Sequence, residues 1–263
     1  MTIDFFKYHG AGNDFIVLDN RNQKLSLTTT QIALLCHRRF GIGADGLMVL
    51  SLEEAYDFRM VYYNSDGIEG SMCGNGGRCI VAFAHYLNII EKNTTFIAVD
   101  GVHKAIINQS SQKPYDISLE MTDVEKIEIR NKAYFMNTGS PHHISFVKQI
   151  EPLDVLNLGR KIRYSEDYAS AGGTNVNFVE IKDDFLKIRT YERGVEDETL
   201  ACGTGATATA IAYAHKTKRY NDEIILKALG GILRVKLDFT NGIFTNIILS
   251  GPAQQVFNGQ WKL

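Results

Sequence analysis

Proline, cysteine and long apolar runs are all scarce in this chain of 263 residues. It has 4 prolines and no low-complexity run, so we do not expect a flexible linker between folded parts. Four cysteines in a chain of this length do not make a disulfide framework, which favours a reducing cytoplasm. No segment reaches the ~20 uncharged apolar residues that cross a bilayer, and the N-terminus lacks the layout of a signal peptide. We therefore expect no membrane partner.

The chain also lacks a large excess of positive or negative charge. The formal net charge is -2, which gives no basic footprint for nucleic acid. The spacing of Cys73 and Cys79 does not fit a zinc site, and no Cys-x-x-Cys redox pair occurs. The glycine-rich segment 41–46 lacks the preceding strand and following helix of a dinucleotide loop. No lysine stands out as a pyridoxal phosphate anchor. These absences favour a small-molecule partner and predict neither a metal nor a cofactor.

Two short segments, 72–77 and 201–206, repeat one chemical design. Each places a cysteine, Cys73 or Cys202, before Gly-x-Gly and a run of small or apolar residues. Such runs predict buried helices over 75–87 and 205–214. A thiol at a helix N-terminus meets unsatisfied N–H groups, which should lower its pKa from about 8.5 toward neutrality. A lone cysteine is more often a small buried hydrophobe, but packing does not require this motif twice. The pair therefore suggests two acid/base groups that face one substrate.

The rest of the chain predicts many short strands and few helices. One helix is predicted over 29–38, where threonines can cap an apolar face. Alternation and β-branched or aromatic residues predict strands over 15–18, 58–63, 96–99, 117–121, 133–136, 143–147, 176–181, 186–191, 224–228, 232–237 and 244–249.

Paired features in one order predict duplicated halves. The polar turn in 7–15 matches the turn in 137–144, and the segment 63–67 precedes the first cysteine as 191–194 precedes the second. We therefore predict an α+β fold with two pseudo-symmetric halves, each a curved and mostly antiparallel sheet around a central buried helix. The first half covers 1–120, with the last strand (about 252–263) returning to it, and the second covers 121–251. A ligand is expected at their junction.

Several polar residues are candidates for tuning the thiols. His142 follows a proline in a turn and is as compatible with a solvated loop histidine as with a thiol partner. Its neighbour His143 begins a strand and is interpreted as structural. Glu192 and Arg193 are adjacent opposite charges, which are usually a solvated surface pair. Here they occupy the sequence position that corresponds to Asn64 in the other half, and this favours a functional role. The remaining cysteines, 36 and 79, lack the motif and are interpreted as packing residues.

Together these motifs resemble the diaminopimelate epimerase family, whose members act in lysine and peptidoglycan precursor synthesis without pyridoxal phosphate. Each motif alone is weak, but they occur in the family's order from near the N-terminus to beyond residue 200. The matching stretches are 7–15, 63–67, 72–79, 139–142, 191–194 and 201–205.

The resemblance implies a role for each matched residue. Two cysteines exchange the α-proton of the substrate, one as thiolate base and one as thiol acid, and these correspond to Cys73 and Cys202. Their histidine and glutamate partners correspond to His142 and Glu192. The substrate-binding residues correspond to Asn13, Asn64, Gly74, Asn75, Ser140, Asn175, Glu192, Arg193, Gly203 and Thr204. Among these, the glycine, asparagine and threonine positions after each cysteine would hold the reacting carboxylate, and the arginine suits the distal one. The resemblance also implies a homodimer and no cofactor.

Two positions depart from the family pattern. Ser140 stands where the family often has Asn, and Gly46 stands where some members have a Gln that contacts substrate. Three alternatives remain open at this point: a proline or hydroxyproline racemase, a catalytically silent binding protein of the same fold, and a thiol redox protein.

Overall fold

The structure is a computed structural model that describes residues 2–70 and 73–263. Met72, which opens the first cysteine motif, lies outside the described residues. The chain divides into two compact units, one formed by 1–119 with 251–263 and the other by 120–250. In the described part, no helix is long and apolar enough to cross a membrane. Strands dominate and helices are few, so the predicted α+β class is confirmed.

Within the described residues, five antiparallel and two parallel pairings join the first eight strands of the first unit. Strand β1 pairs antiparallel with β2, and β2 pairs parallel with β3. Strand β4 pairs antiparallel with β3 and β5 and parallel with β6, and β6–β7–β8 continue antiparallel. Its elements are β1 (Thr2–Gly10), β2 (Asn13–Asp19), α1 (Thr29–Cys36), β3 (Gly46–Ser51), β4 (Arg59–Asn64), β5 (Glu69–Gly70), α2 (Gly74–Tyr86), β6 (Asn93–Ala98), β7 (Gly101–Gln109) and β8 (Tyr115–Glu120).

The second unit repeats this order of pairings. Strands β10 and β11 are antiparallel, β11 and β12 parallel, β12–β13–β14 antiparallel, β13 and β15 parallel, and β15–β16–β17 antiparallel. Its elements are β9 (Glu128–Arg130), β10 (Ala133–Asn137), β11 (Pro141–Val147), α3 (Val155–Arg163), a 3₁₀ turn (Glu166–Ala171), β12 (Asn175–Ile181), β13 (Leu186–Glu192), β14 (Asp197–Thr199), α4 (Gly203–Thr217), β15 (Ile224–Ala228), β16 (Gly231–Thr240) and β17 (Ile243–Lys262). Beyond Ser250, β17 belongs to the first unit, where it pairs with β1.

The two helices that follow the cysteines are buried as their composition predicts. Every residue of α2 from Gly74 to Ala84 is buried, and α2 packs against β1, β2, β3 and β7. Helix α4 buries its alternating Ala and Thr residues and packs against β10, β11, β12, β15 and β16. Small side chains let strands approach each helix closely, so neither helix needs an apolar stripe facing one side only.

Other elements differ from the sequence prediction in instructive ways. The helix predicted over 29–38 ends two residues earlier, at Cys36. It begins with a capping box, in which Thr28 and Gln31 each bond the backbone N–H of the other. Helix α3 was not predicted, because Gly159 interrupts its pattern. A Cβ at that position would lie 2.4 Å from the Cβ of Tyr191, so glycine is needed for α3 to reach the sheet. Strands β3 and β7 were also missed.

Candidate active site

Cys73 is the N-cap residue of α2, and its thiol is half-buried. The backbone N–H of Gly76 donates to the Cys73 Sγ across 3.2 Å. A Cβ at position 76 would lie 3.2 Å from that sulfur and equally close to the Met48 Sδ. Glycine at this position lets the first turn of the helix wrap tightly around the thiol, and a Cβ would force one of the two sulfur atoms to shift by a few tenths of an ångström. An N–H aimed at sulfur stabilises a thiolate more than a thiol.

Cys202 is the corresponding N-cap residue of α4 and is also half-buried. Its Sγ lies 3.4 Å from the Thr204 Oγ1. A Cβ at Gly205 would lie 2.5 Å from the Asn177 Oδ1 and 3.4 Å from the Cys202 Sγ. At the second Gly-x-Gly the buried Asn177 amide, and not the thiol, is the neighbour that leaves no room for a Cβ.

The imidazole of His142 is held on its Nδ1 side by a fixed amide. Asn177 Nδ2 lies 3.1 Å from the His142 Nδ1 and donates to the His143 carbonyl, while its Oδ1 accepts from Thr190. These partners fix the amide orientation, so Nδ1 accepts a hydrogen bond and the proton of the neutral ring sits on Nε2. Burial, with a smaller contribution from Arg193, lowers the pKa of His142 to about 3. The ring is therefore neutral at physiological pH.

The Nε2 side of His142 faces two hydroxyl groups. Thr204 Oγ1 lies 2.9 Å away and Ser140 Oγ 3.0 Å away. Because Nε2–H is a donor, Thr204 can accept from it and donate its own hydrogen to the Cys202 Sγ. Thr138 donates to the Thr204 carbonyl and ties this residue to the turn after β10. The structure thus joins the predicted histidine to the second cysteine through one threonine hydroxyl.

Asn175 organises the turn around Ser140. Its amide nitrogen donates to the Ser140 Oγ and to the Pro141 carbonyl, and its oxygen accepts from the backbone N–H of Arg193. The Arg193 guanidinium donates to the Ala171 carbonyl, at the end of the 3₁₀ turn. Ser140 is therefore well anchored, despite its shorter reach than an asparagine.

Glu192 and Asn64 occupy corresponding ends of matching strands. Tyr63 of β4 is paired with β3 as Tyr191 of β13 is paired with β12, and each tyrosine is followed by the candidate residue. The Thr199 hydroxyl donates to the Glu192 Oε2 across 2.8 Å. The correspondence inferred from the sequence of the two halves therefore holds in strand register.

Asn13 and Asn75 are joined to each other in the first unit. The Asn75 Nδ2 donates to the Asn13 Oδ1 across 3.3 Å, and the Asn13 Nδ2 donates to the Asp45 Oδ2 across 2.7 Å. Arg78, which the sequence analysis did not single out, is completely buried and donates to the Asn75 Oδ1 across 2.7 Å. The unusual signal available in the sequence was an arginine within an otherwise small and apolar helix.

The space beside Gly46 is filled by an aromatic ring. A Cβ at that position would lie 2.6 Å from the Tyr62 Cε2 and 2.9 Å from its hydroxyl oxygen. Tyr62 is on β4, two residues before Asn64, and its ring also contacts that of Phe15. The Tyr63 carbonyl oxygen would lie 2.7 Å from the same Cβ, so both a ring and the backbone of β4 exclude a side chain at position 46.

The residues interpreted as structural have structural surroundings. Cys36 and Cys79 are buried, and burial raises the pKa of both thiols, that of Cys36 to about 12. His143 lies between the Tyr168 hydroxyl and the Ser145 hydroxyl, each 2.6 Å away. Among the described residues, no group of three or more His, Cys, Asp or Glu is arranged to hold a metal ion.

Comparison with known proteins identifies the family of this chain. The family model for diaminopimelate epimerase matches the chain twice, over residues 5–127 and 134–256. The chain belongs to the diaminopimelate epimerase family. A family member from Flavobacterium psychrophilum is 54% identical over 254 residues, which cover 96% of this chain and 97% of that protein. One from Chlorobaculum tepidum is 43% identical, with 95% and 98% covered. The resemblance inferred from the motifs is confirmed.

Solved structures share the fold across nearly the whole chain. A PhzF-family phenazine biosynthesis protein from Bacillus anthracis superposes with a TM-score of 0.79 at 15% identity, and 100% of each chain is covered. A hydroxyproline epimerase from Agrobacterium vitis, with trans-4-hydroxy-L-proline bound, gives 0.72 at 14% identity, covering 98% of this chain and 92% of that one. At such low identity these likenesses establish the architecture alone.

Proposed function

We propose that this chain epimerises LL-diaminopimelate to meso-diaminopimelate by proton transfer between two cysteines, without a cofactor. The observation that carries the proposal is the repeated helix start, a half-buried cysteine followed by Gly-x-Gly, in a member of this family. Inversion at a carbon needs one group to remove the proton and another to deliver a proton to the opposite face. Cys73 and Cys202 would supply these two groups.

The surroundings of each sulfur support this chemistry. The Gly76 N–H at the first sulfur and the Thr204 hydroxyl at the second are donors suited to a thiolate. His142 would act on a thiol as a neutral group, since its pKa is about 3. Glu192, which accepts a hydrogen bond from Thr199, would be the partner of the other thiol, as the resemblance implies.

The α-proton of an amino acid is far too weakly acidic for a thiolate in water. The enzyme must therefore stabilise the negative charge that develops on the α-carboxylate in the transition state. N–H groups at Gly74, Asn75, Gly203 and Thr204, in the first turns of two helices, would form such a trap. Preorganised donors of this kind contribute about 3–4 kcal/mol each once water is excluded.

The remaining matched residues would recognise the rest of the zwitterion. Asn13, Asn64, Asn175 and Ser140 offer amides and a hydroxyl for the distal ammonium and carboxylate groups. Arg193 suits a carboxylate because its planar guanidinium can bind both oxygens. This set requires a substrate with a second charged end, which proline lacks.

The proposal extends to organisation in the cell. We propose halves at 1–120 with the last strand (about 252–263) and at 121–251, each wrapped around its own buried helix. We also propose a homodimer, as the resemblance implies, which sedimentation equilibrium would test. Thiol chemistry needs reduced cysteines, and four cysteines in a chain of this length do not make a disulfide framework, which supports a cytoplasmic enzyme.

The experiment is a comparison of substrates and thiol variants. Purified protein is given LL-diaminopimelate or L-proline, and loss of the starting stereoisomer is followed. Turnover of the first and not of the second supports the proposal, whereas proline turnover favours the racemase alternative. Cys73→Ser and Cys202→Ser should each lower kcat at least a hundredfold, while Cys36→Ser, at a thiol outside the motif, should not. Full activity in either of the first two variants would contradict the assigned roles.

A further inference from the structure

Arg78 is a completely buried cation that makes only neutral hydrogen bonds. Its Nη1 donates to the Gly74 carbonyl across 3.0 Å, its Nη2 to the Asn75 Oδ1 across 2.7 Å, and its Nε to the Pro252 carbonyl across 3.4 Å. None of these acceptors carries a charge. Within residues 2–70 and 73–263, no carboxylate forms an ion pair with it.

A buried guanidinium whose hydrogen bonds all go to neutral acceptors costs free energy. Helix packing does not explain the cost, because α4 carries Thr207 at the corresponding position. That threonine satisfies the corresponding carbonyl, Gly203 O, with an uncharged hydroxyl across 3.1 Å. The charge of Arg78 interacts with the thiols of Cys79 and Cys73 and with the Asp116 carboxylate of β8. Arg78 therefore places a positive charge in α2 at a position where α4 folds with an uncharged residue.

Arg78 also fixes the direction of two side-chain amides. Because a guanidinium only donates, the Asn75 oxygen must face it, and the Asn75 nitrogen then donates to the Asn13 oxygen. At the far end the Asp45 carboxylate only accepts, so the Asn13 nitrogen must face it. Both ends of this relay demand the same orientation. The amides therefore cannot flip without loss of a charge-assisted hydrogen bond.

We propose that Arg78 is a positioning residue for substrate carboxylate binding at the start of α2. It holds the Asn75 and Asn13 amides in one orientation and places a buried positive charge beneath the carboxylate. This inference rests on the proposed function. Arg78 need not touch the substrate, because its effect passes through Asn75 and through the charge itself.

The test uses two substitutions of the arginine and one packing control. Arg78→Met removes charge and relay, Arg78→Lys keeps the charge, and Val81→Ala trims a buried side chain of the same helix without touching the relay. With LL-diaminopimelate, Arg78→Met should raise KM at least tenfold over the wild type. The KM of Arg78→Lys should be at least threefold lower than that of Arg78→Met. Val81→Ala should change KM less than twofold, even if it lowers Tm as much. Equal KM values in Arg78→Met and Val81→Ala at equal Tm would overturn the proposal.

A second variant keeps the test decisive if Arg78→Met does not fold. Asp45 is half exposed, so Asp45→Asn should fold, and it frees the Asn13 amide to flip. The double variant Asp45→Asn/Arg78→Lys should raise KM by a factor at least threefold smaller than the product of the two single-variant factors. This shortfall is expected because both substitutions act through the same pair of amides. A simple product would contradict the inference.

The wild type separates this inference from the proposed function. A wild type that epimerises diaminopimelate while the variants keep its KM refutes the role of Arg78 alone. If the wild type binds diaminopimelate without turnover, the epimerase function fails, and dissociation constants from calorimetry replace KM in the same comparison. A wild type that neither binds nor epimerises it overturns both.

Discussion

Replacing Gly205 by Ala should damage both stability and catalysis, although alanine is the better helix former. The gain in helix propensity is at most about 1 kcal/mol and is smaller in a first turn. The opposing effect is a steric clash, because the new Cβ would lie 2.5 Å from the Oδ1 of Asn177, whose side chain is fully buried. That amide cannot retreat easily, because it bonds His142, the His143 carbonyl and Thr190.

The opposing terms give a net loss. Each hydrogen bond strained by the retreat of Asn177 is worth about 1 kcal/mol, so the three together exceed the propensity gain. We expect Gly205→Ala to lose about 2 kcal/mol of unfolding free energy, or about 4–8 °C in Tm. Since His142 and Thr204 shift with Asn177, kcat/KM for epimerisation should fall at least tenfold, as small misplacements near reacting atoms do.

Calorimetry and initial rates check this prediction, and Gly76→Ala is the matched comparison. There the new Cβ meets two sulfur atoms at 3.2 Å, one of them at the flexible Met48, so the loss in Tm should be less than half as large. Asn177→Ala should remove most of the clash, so Gly205→Ala added to it should cost little further stability. A Gly205→Ala enzyme with wild-type Tm and wild-type kcat/KM would refute the reasoning.

Two further predictions concern protonation. Burial raises the pKa of Asp14, but hydrogen bonds from Arg38 and Lys7 outweigh burial and hold it at about 2. Because this pKa is below its unfolded value, the stabilisation is present above pH 4 and is lost as the pH falls toward 2. Between these values the wild type should lose about 2 kcal/mol more than Asp14→Asn in urea unfolding, and equal losses would contradict the ion-pair assignment. In ¹⁵N NMR at pH 7, His142 should be neutral with its proton on Nε2, because Asn177 donates to Nδ1. A protonated Nδ1 would show that the amide is reversed.

Much of the fold was predictable because the local pattern and the tertiary environment agree. The buried helices after Cys73 and Cys202 follow from residues that are small or apolar on nearly every face. The strand predicted over 224–228 matches β15 residue for residue. Helix α3 escaped prediction because the reason for Gly159 is a ring on β13 that is distant in sequence.

Motifs in the sequence supplied the candidate site residues but not the hydrogen bonds that connect them. The cysteines, His142 and Glu192 followed from motifs, whereas the threonine hydroxyl between His142 and Cys202 required the geometry of α4. Arg78 was missed because the role of a charged residue in an apolar helix cannot be inferred before its buried hydrogen-bond acceptors are known. Long-range contacts of this kind leave no trace in a short sequence window.

The most direct test of the two-base account is epimerisation of LL-diaminopimelate in heavy water, stopped at low conversion. If one cysteine removes the α-proton and the other delivers a solvent-derived proton, NMR should find deuterium at the inverted carbon of the product from the first turnover. Recovered LL-diaminopimelate should initially carry none. Deuterium that accumulates equally early in the recovered substrate, with the product, would indicate a single shared base and would contradict the account.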